Sequence, residues 1–98
     1  MALGLKPSEH DRRQARLRRA HLQSLNIVQC RMARTALDWS LKDLAAASGV
    51  SRRTIARFEA GESVLPVWAR AMRHAFEAKG ILFIDSGHLA GGVIPPRA

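Results

Sequence analysis

The stretch Ser40–Gly61, SLKDLAAASGVSRRTIARFEAG, constrains the chain more than any other. It encodes two short helices joined by a tight turn. Ser40, with Asp43 three residues on, is a capping box: the hydroxyl accepts an orphan backbone N–H and the carboxylate reaches back to the cap. Leu44 and Ala45 give the first helix a thin apolar face. Ser48-Gly49 ends it, since glycine takes the positive φ at which a chain leaves a helix. Ser51 caps again, Ile55 and Phe58 lie i,i+3 on the inward face of the second helix, and Gly61 ends it.

The other face of that second helix carries Arg52, Arg53, Thr54 and Arg57, with Ala56 beside them. A first helix, a glycine turn and a second helix opening on arginines make the arrangement with which a helix-turn-helix unit reads the DNA major groove. The alternative is a plain helical domain whose solvated face is basic. Charge favours the first. Lys and Arg outnumber Asp and Glu 16 to 8, giving a formal net charge of +8, which suits a polyanionic partner and association that weakens with salt. Residues 1–60 hold 12 of the basic and 5 of the acidic side chains, so polyanion contact is expected in the first two thirds.

Ninety-eight residues suit one compact domain near the low end for a self-sufficient core. Much of the 47% hydrophobic content is alanine, so closely packed helices and a small core are expected, with oligomerisation as an added source of burial. A single cysteine excludes an internal disulfide and a cysteine-based zinc cluster. No apolar run approaches the ~18 residues that span a bilayer, and the basic start lacks the apolar stretch of a secretory signal. The expected location is the cytoplasm, on the nucleoid when bound to DNA.

In chain order, Met1–Pro7 lacks periodicity and reads as an arm. Ser8 and Asp11 form a second capping box for a helix to Ser24, with Leu17, Ala20 or His21, and Leu22 for packing and Arg12, Arg13, Arg16, Arg18 and Arg19 clustered. Arg12, Arg16 and Arg19 are candidates for phosphate contact, which needs charge rather than a base code; a solvated accessory helix is the alternative. Asn26 with Gln29 fits a third capping box, with Leu25 placed for a staple against Cys30. The helix that follows presents Cys30, Ala33 and Leu37 to the core, Cys30 as a small buried hydrophobe, while Arg31 and Arg34 face away or skirt its edge. Trp39 closes the core over the helix junction. Pro66 suits the first turn of another helix, running to about Lys79. Val67 or Ala71, Ala75 and Ala78 lie on one side of it, and Trp68, Met72 and Phe76 on another. So wide an apolar arc suggests a second subunit. Gly80 follows as a cap. Ile81–Ile84 is the most β-rich run, Asp85-Ser86-Gly87 a turn and Gly91–Ile94 a return strand. Two strands alone are marginal, so the segment should lie against the last helix or, as the favoured reading, pair across subunits. Trp68, Met72, Phe76, Leu82 and Ile84 are the expected dimer surface.

Residues 27–79 resemble the lambda-repressor-like, Cro/repressor (XRE-like) family of helix-turn-helix domains. The resemblance rests on Gln29–Arg34, Trp39-Ser40, Leu44-Ala45, Gly49–Ser51, Thr54-Ile55 and Phe58–Gly61. Gly80–Asp85 is also similar to the Gly-Ile/Val-x-Phe-Ile-Asp ending of short bacterial and mobile-element members. The resemblance implies an all-α helix-turn-helix core of four helices in residues 26–80; outside the match, a basic arm and accessory helix (1–25) is expected before it, and a short β segment and tail (81–98) after it as a candidate dimerisation element. It further implies that Ser51, Arg52, Arg53 and Arg57 meet bases, that Thr54 lies near a phosphate or thymine methyl, and that Lys42 approaches the backbone. Glu59 would hold the end of the recognition helix. Leu41 departs from the glutamine common at its position; packing on a thymine methyl, contact with Arg52 and a protein interface are its open roles.

Chemistry at guanine agrees, since arginine bonds bidentately to O6 and N7; which of Arg52 and Arg53 reads a base and which grips phosphate stays open. An enzyme is not expected. His10, His21, His74 and His88 are scattered, no nucleophile elbow or phosphate loop occurs, and Gly91-Gly92 reads as a turn. No cofactor or metal is implied. The expected function is sequence-specific double-stranded DNA binding by a small transcriptional repressor, a homodimer on a palindromic operator. The rival is a protein-interaction module, such as an antitoxin or regulator-inhibiting protein, on the same fold.

Overall fold

A computed structural model describes residues 8–12 and 24–97. Among these, four longer helices run in order: α1 (Ile27–Leu37), α2 (Leu41–Ser48), α3 (Arg52–Glu59) and α4 (Pro66–Ala78). A hairpin of β1 (Leu82–Phe83) and β2 (Val93–Ile94) follows them.

Each helix starts where a side chain captures an orphan amide or where none is needed. The amide of Gln29 donates to Asn26 Oδ1 at 2.8 Å and the amide of Asn26 to Gln29 Oε1 at 3.0 Å, closing the capping box of α1. Ser40 and Asp43 do the same for α2, at 3.1 and 2.9 Å. α4 has no side-chain cap and opens on Pro66, which has no amide to satisfy. Residues 9–12 are helical, with the Asp11 amide on Ser8 Oγ at 3.0 Å, as the second capping box requires. The expected arm and the rest of that helix, including Arg13, Arg16, Arg18, Arg19, Leu17, Ala20, His21 and Leu22, lie outside the described residues.

Three of the helices end in one shared pattern, in which a residue just beyond the helix turns left-handed and the next amide bonds five residues back. After α1 the turn residue is Asp38 (φ 55°), and the Trp39 amide donates to Arg34 O at 2.8 Å. After α3 it is Gly61 (φ 93°), with the Glu62 amide on Arg57 O at 3.0 Å. After α4 it is Gly80 (φ 91°), with the Ile81 amide on Phe76 O at 3.2 Å.

The core lies where the four helices converge. Cys30 and Ala33 from α1, Leu44 from α2, Ile55 from α3, and Met72 and Phe76 from α4 are all fully buried. Leu25 is buried in the same cluster as Cys30. Trp39 stacks on Phe76 with ring centroids 5.7 Å apart, and Phe83 meets Phe76 edge-on at 6.2 Å. Trp39 therefore closes the junction as its size suggests. Leu41 packs against the core from its margin, which gives the one departure from the family pattern a structural role.

One expectation is corrected here. Met72 and Phe76 are not on a dimer surface: both are fully buried in the single chain, because α4 is laid over a small core and these two positions of its arc are consumed there. Of the proposed set, Trp68 and Leu82 stay exposed and Ile84 is partly buried. The expected return strand pairs within the chain, antiparallel, with Leu82 opposite Ile94 and Phe83 opposite Val93. Intrachain closure needs only a short loop, so its entropy cost is small.

Two arginines lie deeper than their sequence context suggests. Arg73 is 6% exposed. Its guanidinium donates to both Asp85 oxygens at 3.0 and 2.8 Å and to Ser24 O at 3.2 Å, with Glu77 3.4 Å from Nε. It also lies 4.8 Å above the Phe83 ring. The bond with Asp85 raises its pKa further, so this charge does not titrate away. One buried cation thus fastens residue 24 and the hairpin to α4. Arg34 is the second, and it belongs to the interface side of the molecule.

Candidate nucleic-acid interface

α3 presents the basic face. Ile55 is fully buried and Phe58 nearly so, and Arg52, Arg53, Ala56 and Arg57 are exposed on the opposite side. Helical periodicity makes this unavoidable: with Ile55 and Phe58 inward, positions 52, 53, 56 and 57 face outward. Arg52 and Arg53 carry no ion pair among the described residues, and Arg57 has Glu62 3.9 Å from its Nε. The surface is therefore a helix start with two guanidiniums extended into solvent.

The turn fixes how α3 is offered. Gly49 has φ 77°, a conformation that strains any other residue. Val50 beyond it is buried, pinning the entry to α3. Ser48 Oγ donates to Leu44 O at 2.7 Å and accepts from the Val50 amide at 3.1 Å, so the turn is cross-braced. Ser51 accepts the Thr54 amide at 3.1 Å, and its own hydroxyl donates to Thr54 Oγ1 at 2.9 Å. The Ser51 hydroxyl is thus engaged in the free chain, so a hydrogen bond donated by Ser51 to a base requires its proton to be redirected from Thr54. Lys42 is exposed in the first turn of α2, near the groove it shares with Ala45, Gly49 and Arg52. The structure thus brings Lys42, Ser51 and Arg52 together, with Arg53 and Arg57 continuing along α3. Arg12 is exposed; Arg16 and Arg19 fall outside the described residues.

What holds α3 in place is a cluster the sequence did not announce. Arg34, expected to skirt the edge of α1, is about three quarters buried and grips Glu59 with Nε at 2.8 Å and Nη2 at 2.7 Å. Its Nη1 donates to Trp39 O at 3.1 Å. Arg31 Nη2 donates to Glu59 O at 2.7 Å, and the Cys30 thiol donates to Glu59 Oε2 at 3.1 Å. Glu59 therefore ties the end of α3 to α1, more specifically than a role at the helix end implies. Burial opposes ionisation of Glu59, yet the bonds from Arg34 and Cys30 and the charges of Arg34 and Arg31 outweigh it and hold its pKa below the ordinary value. Burial and then the bond to Glu59 push the Cys30 thiol far up, which makes it an inert donor. The signal was present in the spacing: Arg34 lies four residues beyond Cys30, on the core side of α1, where a charge needs a partner.

His74 and His88 are exposed. Among the described residues no group of His, Cys, Asp and Glu side chains is placed to hold a metal ion, and no helix is long and apolar enough to cross a membrane.

Comparison with known proteins agrees with this geometry. No curated protein matches the chain, but residues 31–67 match the helix-turn-helix family model. That span starts on the α1 face that grips Glu59, includes both helices of the turn, and ends in the first turn of α4. The family is DNA-binding and non-enzymatic. Residues 31–67, just over a third of the chain, are thus similar to the XRE, lambda-repressor-like helix-turn-helix family.

Proposed function

We propose that the chain binds a specific double-stranded DNA sequence and acts as a small transcriptional repressor. The observation that carries this is α3 itself, whose exposed Arg52, Arg53 and Arg57 are backed by buried Ile55 and Phe58. In this reading Arg52 and Arg53 supply one guanine contact and one phosphate contact, with roughly 1–3 kcal/mol of discrimination for a good bidentate pair. Arg57 is a further base reader, and Ser51 joins after releasing its bond to Thr54. Lys42, Thr54, Arg12, Arg16 and Arg19 grip the backbone. Operator occupancy alone is enough to repress. A homodimer on an imperfect palindrome places half-sites roughly 34 Å apart, and of the residues expected at its interface Trp68 and Leu82 are exposed. Residues 1–25, 26–80 and 81–98 then divide into accessory grip, reader and assembly segment.

Selection of bound genomic fragments followed by footprinting tests the reading, because it returns the site, its symmetry and its spacing together. Protection of one recurring sequence is expected. Equal protection of every duplex, unaffected by salt, overturns it.

A protein-partner role, such as that of an antitoxin, is favoured by one further observation: Leu82 and its cross-strand neighbour Ile94 are 61% and 46% exposed, with Leu89 at 60%. Arg52→Ala with Arg53→Ala separates the two readings, since it removes operator binding and spares a complex formed through the hairpin.

A further inference from the structure

The three shared helix ends are alike in their main chain and unlike in one residue. After α1 and α4 the residue whose amide bonds five residues back is apolar and turned inward: Trp39 stacks on Phe76, and Ile81 is fully buried. An inward apolar contact is what usually accompanies this motif. After α3 the same position holds Glu62, whose side chain is 61% exposed. Its backbone is fixed by its own amide on Arg57 O (3.0 Å) and by the Gly61 amide on Phe58 O (3.1 Å). The carboxylate consequently stands over the last turn of the basic helix, with Oε2 3.9 Å from Arg57 Nε. At that separation and exposure the pair is a charge contact that adds little to stability. Its effect falls on Arg57.

Resting on the DNA-binding reading above, we propose that Glu62 is a specificity-determining residue that competes with DNA phosphate for the Arg57 guanidinium. Carboxylate and phosphate offer a guanidinium the same kind of oxygen acceptors. A phosphate is available on every duplex, and Glu62 is a tethered rival to it. Arg57 is thereby withheld from sequence-independent contact with the backbone. A base edge that bonds the guanidinium bidentately still draws it away, so the pairing lowers non-specific affinity more than specific affinity. Arg52 and Arg53 have no such rival among the described residues.

The test uses the full chain and a 30-base-pair duplex of arbitrary sequence, with affinity followed by fluorescence anisotropy from about 50 to 200 mM salt. Glu62→Gln keeps the side-chain shape and every main-chain bond. It is expected to steepen the dependence of log affinity on log salt by about 0.9, the contribution of one added phosphate contact. That amounts to about threefold greater loss of affinity across the range. With Arg57→Gln already present, Glu62→Gln should add no such steepening. An unchanged slope in Glu62→Gln overturns the proposal, as does equal steepening with and without Arg57, which would mark plain repulsion between Glu62 and DNA. If the unaltered chain binds no duplex at 50 mM salt, the DNA-binding reading falls and this proposal with it; binding with an unchanged Glu62→Gln slope removes the proposal alone.

Discussion

Arginines on α3 and arginines between the helices have the same chemistry and opposite placement. Arg52 and Arg53 extend into solvent with no ion pair among the described residues, whereas Arg34 and Arg73 are largely buried and each bonds both oxygens of a carboxylate. Position relative to the apolar stripe makes the difference. Arg34 and Arg73 sit on the core sides of α1 and α4, where an unpaired charge is costly, so a carboxylate must be supplied. The arginines of α3 sit opposite Ile55 and Phe58, and their charge remains available to an outside anion. One set of cations sets the geometry and the other meets the ligand.

The largest effect should come from breaking the exposed set. Arg52→Ala with Arg53→Ala is expected to weaken operator binding by at least the roughly 1–3 kcal/mol of one bidentate base contact, with a shallower salt dependence from the lost phosphate contact, while leaving the thermal midpoint unchanged, read by anisotropy and by melting. A large fall in melting temperature would mean that these side chains also support the fold.

The buried set should respond in the opposite way. Glu59→Gln is expected to destabilise the fold by roughly 2–4 kcal/mol, because Arg34 keeps its charge and loses its ionised partner. The wild-type chain carries the same signature in pH. The pKa of Glu59 is held below the ordinary value in the folded chain, so its contribution is complete at neutral pH and fades as pH falls through the depressed value. Urea midpoints measured downwards from pH 7 should converge for the two proteins. A constant gap between them would remove the ion pair as the cause.

Arg73→Lys sharpens the comparison by keeping the charge and losing the fork. Lysine cannot bond both Asp85 oxygens and Ser24 O in one plane, and a loss of about 1–2 kcal/mol is expected, with hydrogen exchange rising first in residues 82–94. The smallest effect concerns the backbone. Asp38 holds φ 55°, which glycine adopts without strain, so Asp38→Gly should stabilise the chain by about 0.5 kcal/mol. Its urea midpoint should rise slightly without any change in DNA affinity.

Much of this protein was legible in the sequence because its helix boundaries are written locally. Asn26 with Gln29, Ser40 with Asp43, and Ser8 with Asp11 each close a capping box over three residues, and Gly49, Gly61 and Gly80 mark the turns. The arginine face of α3 followed from the same short-range periodicity. The partners of buried charge did not, because they are distant in sequence: Arg34 meets Glu59 across 25 residues and Arg73 meets Asp85 across 12. An apolar arc on a helix shows that something covers it and does not show what. Met72 and Phe76 were therefore open to assignment to a partner until α4 was placed over the core.

By itself the sequence determined where each helix begins and ends and which side of α3 is basic, since hydrogen bonds and side-chain periodicity within a few residues decide both. Only the tertiary structure decided that Glu59 is clamped between Arg34, Arg31 and Cys30 and that Arg73 fastens the hairpin to α4. Those outcomes depend on which distant groups share a buried space, where an unpaired charge or backbone amide has no water to turn to.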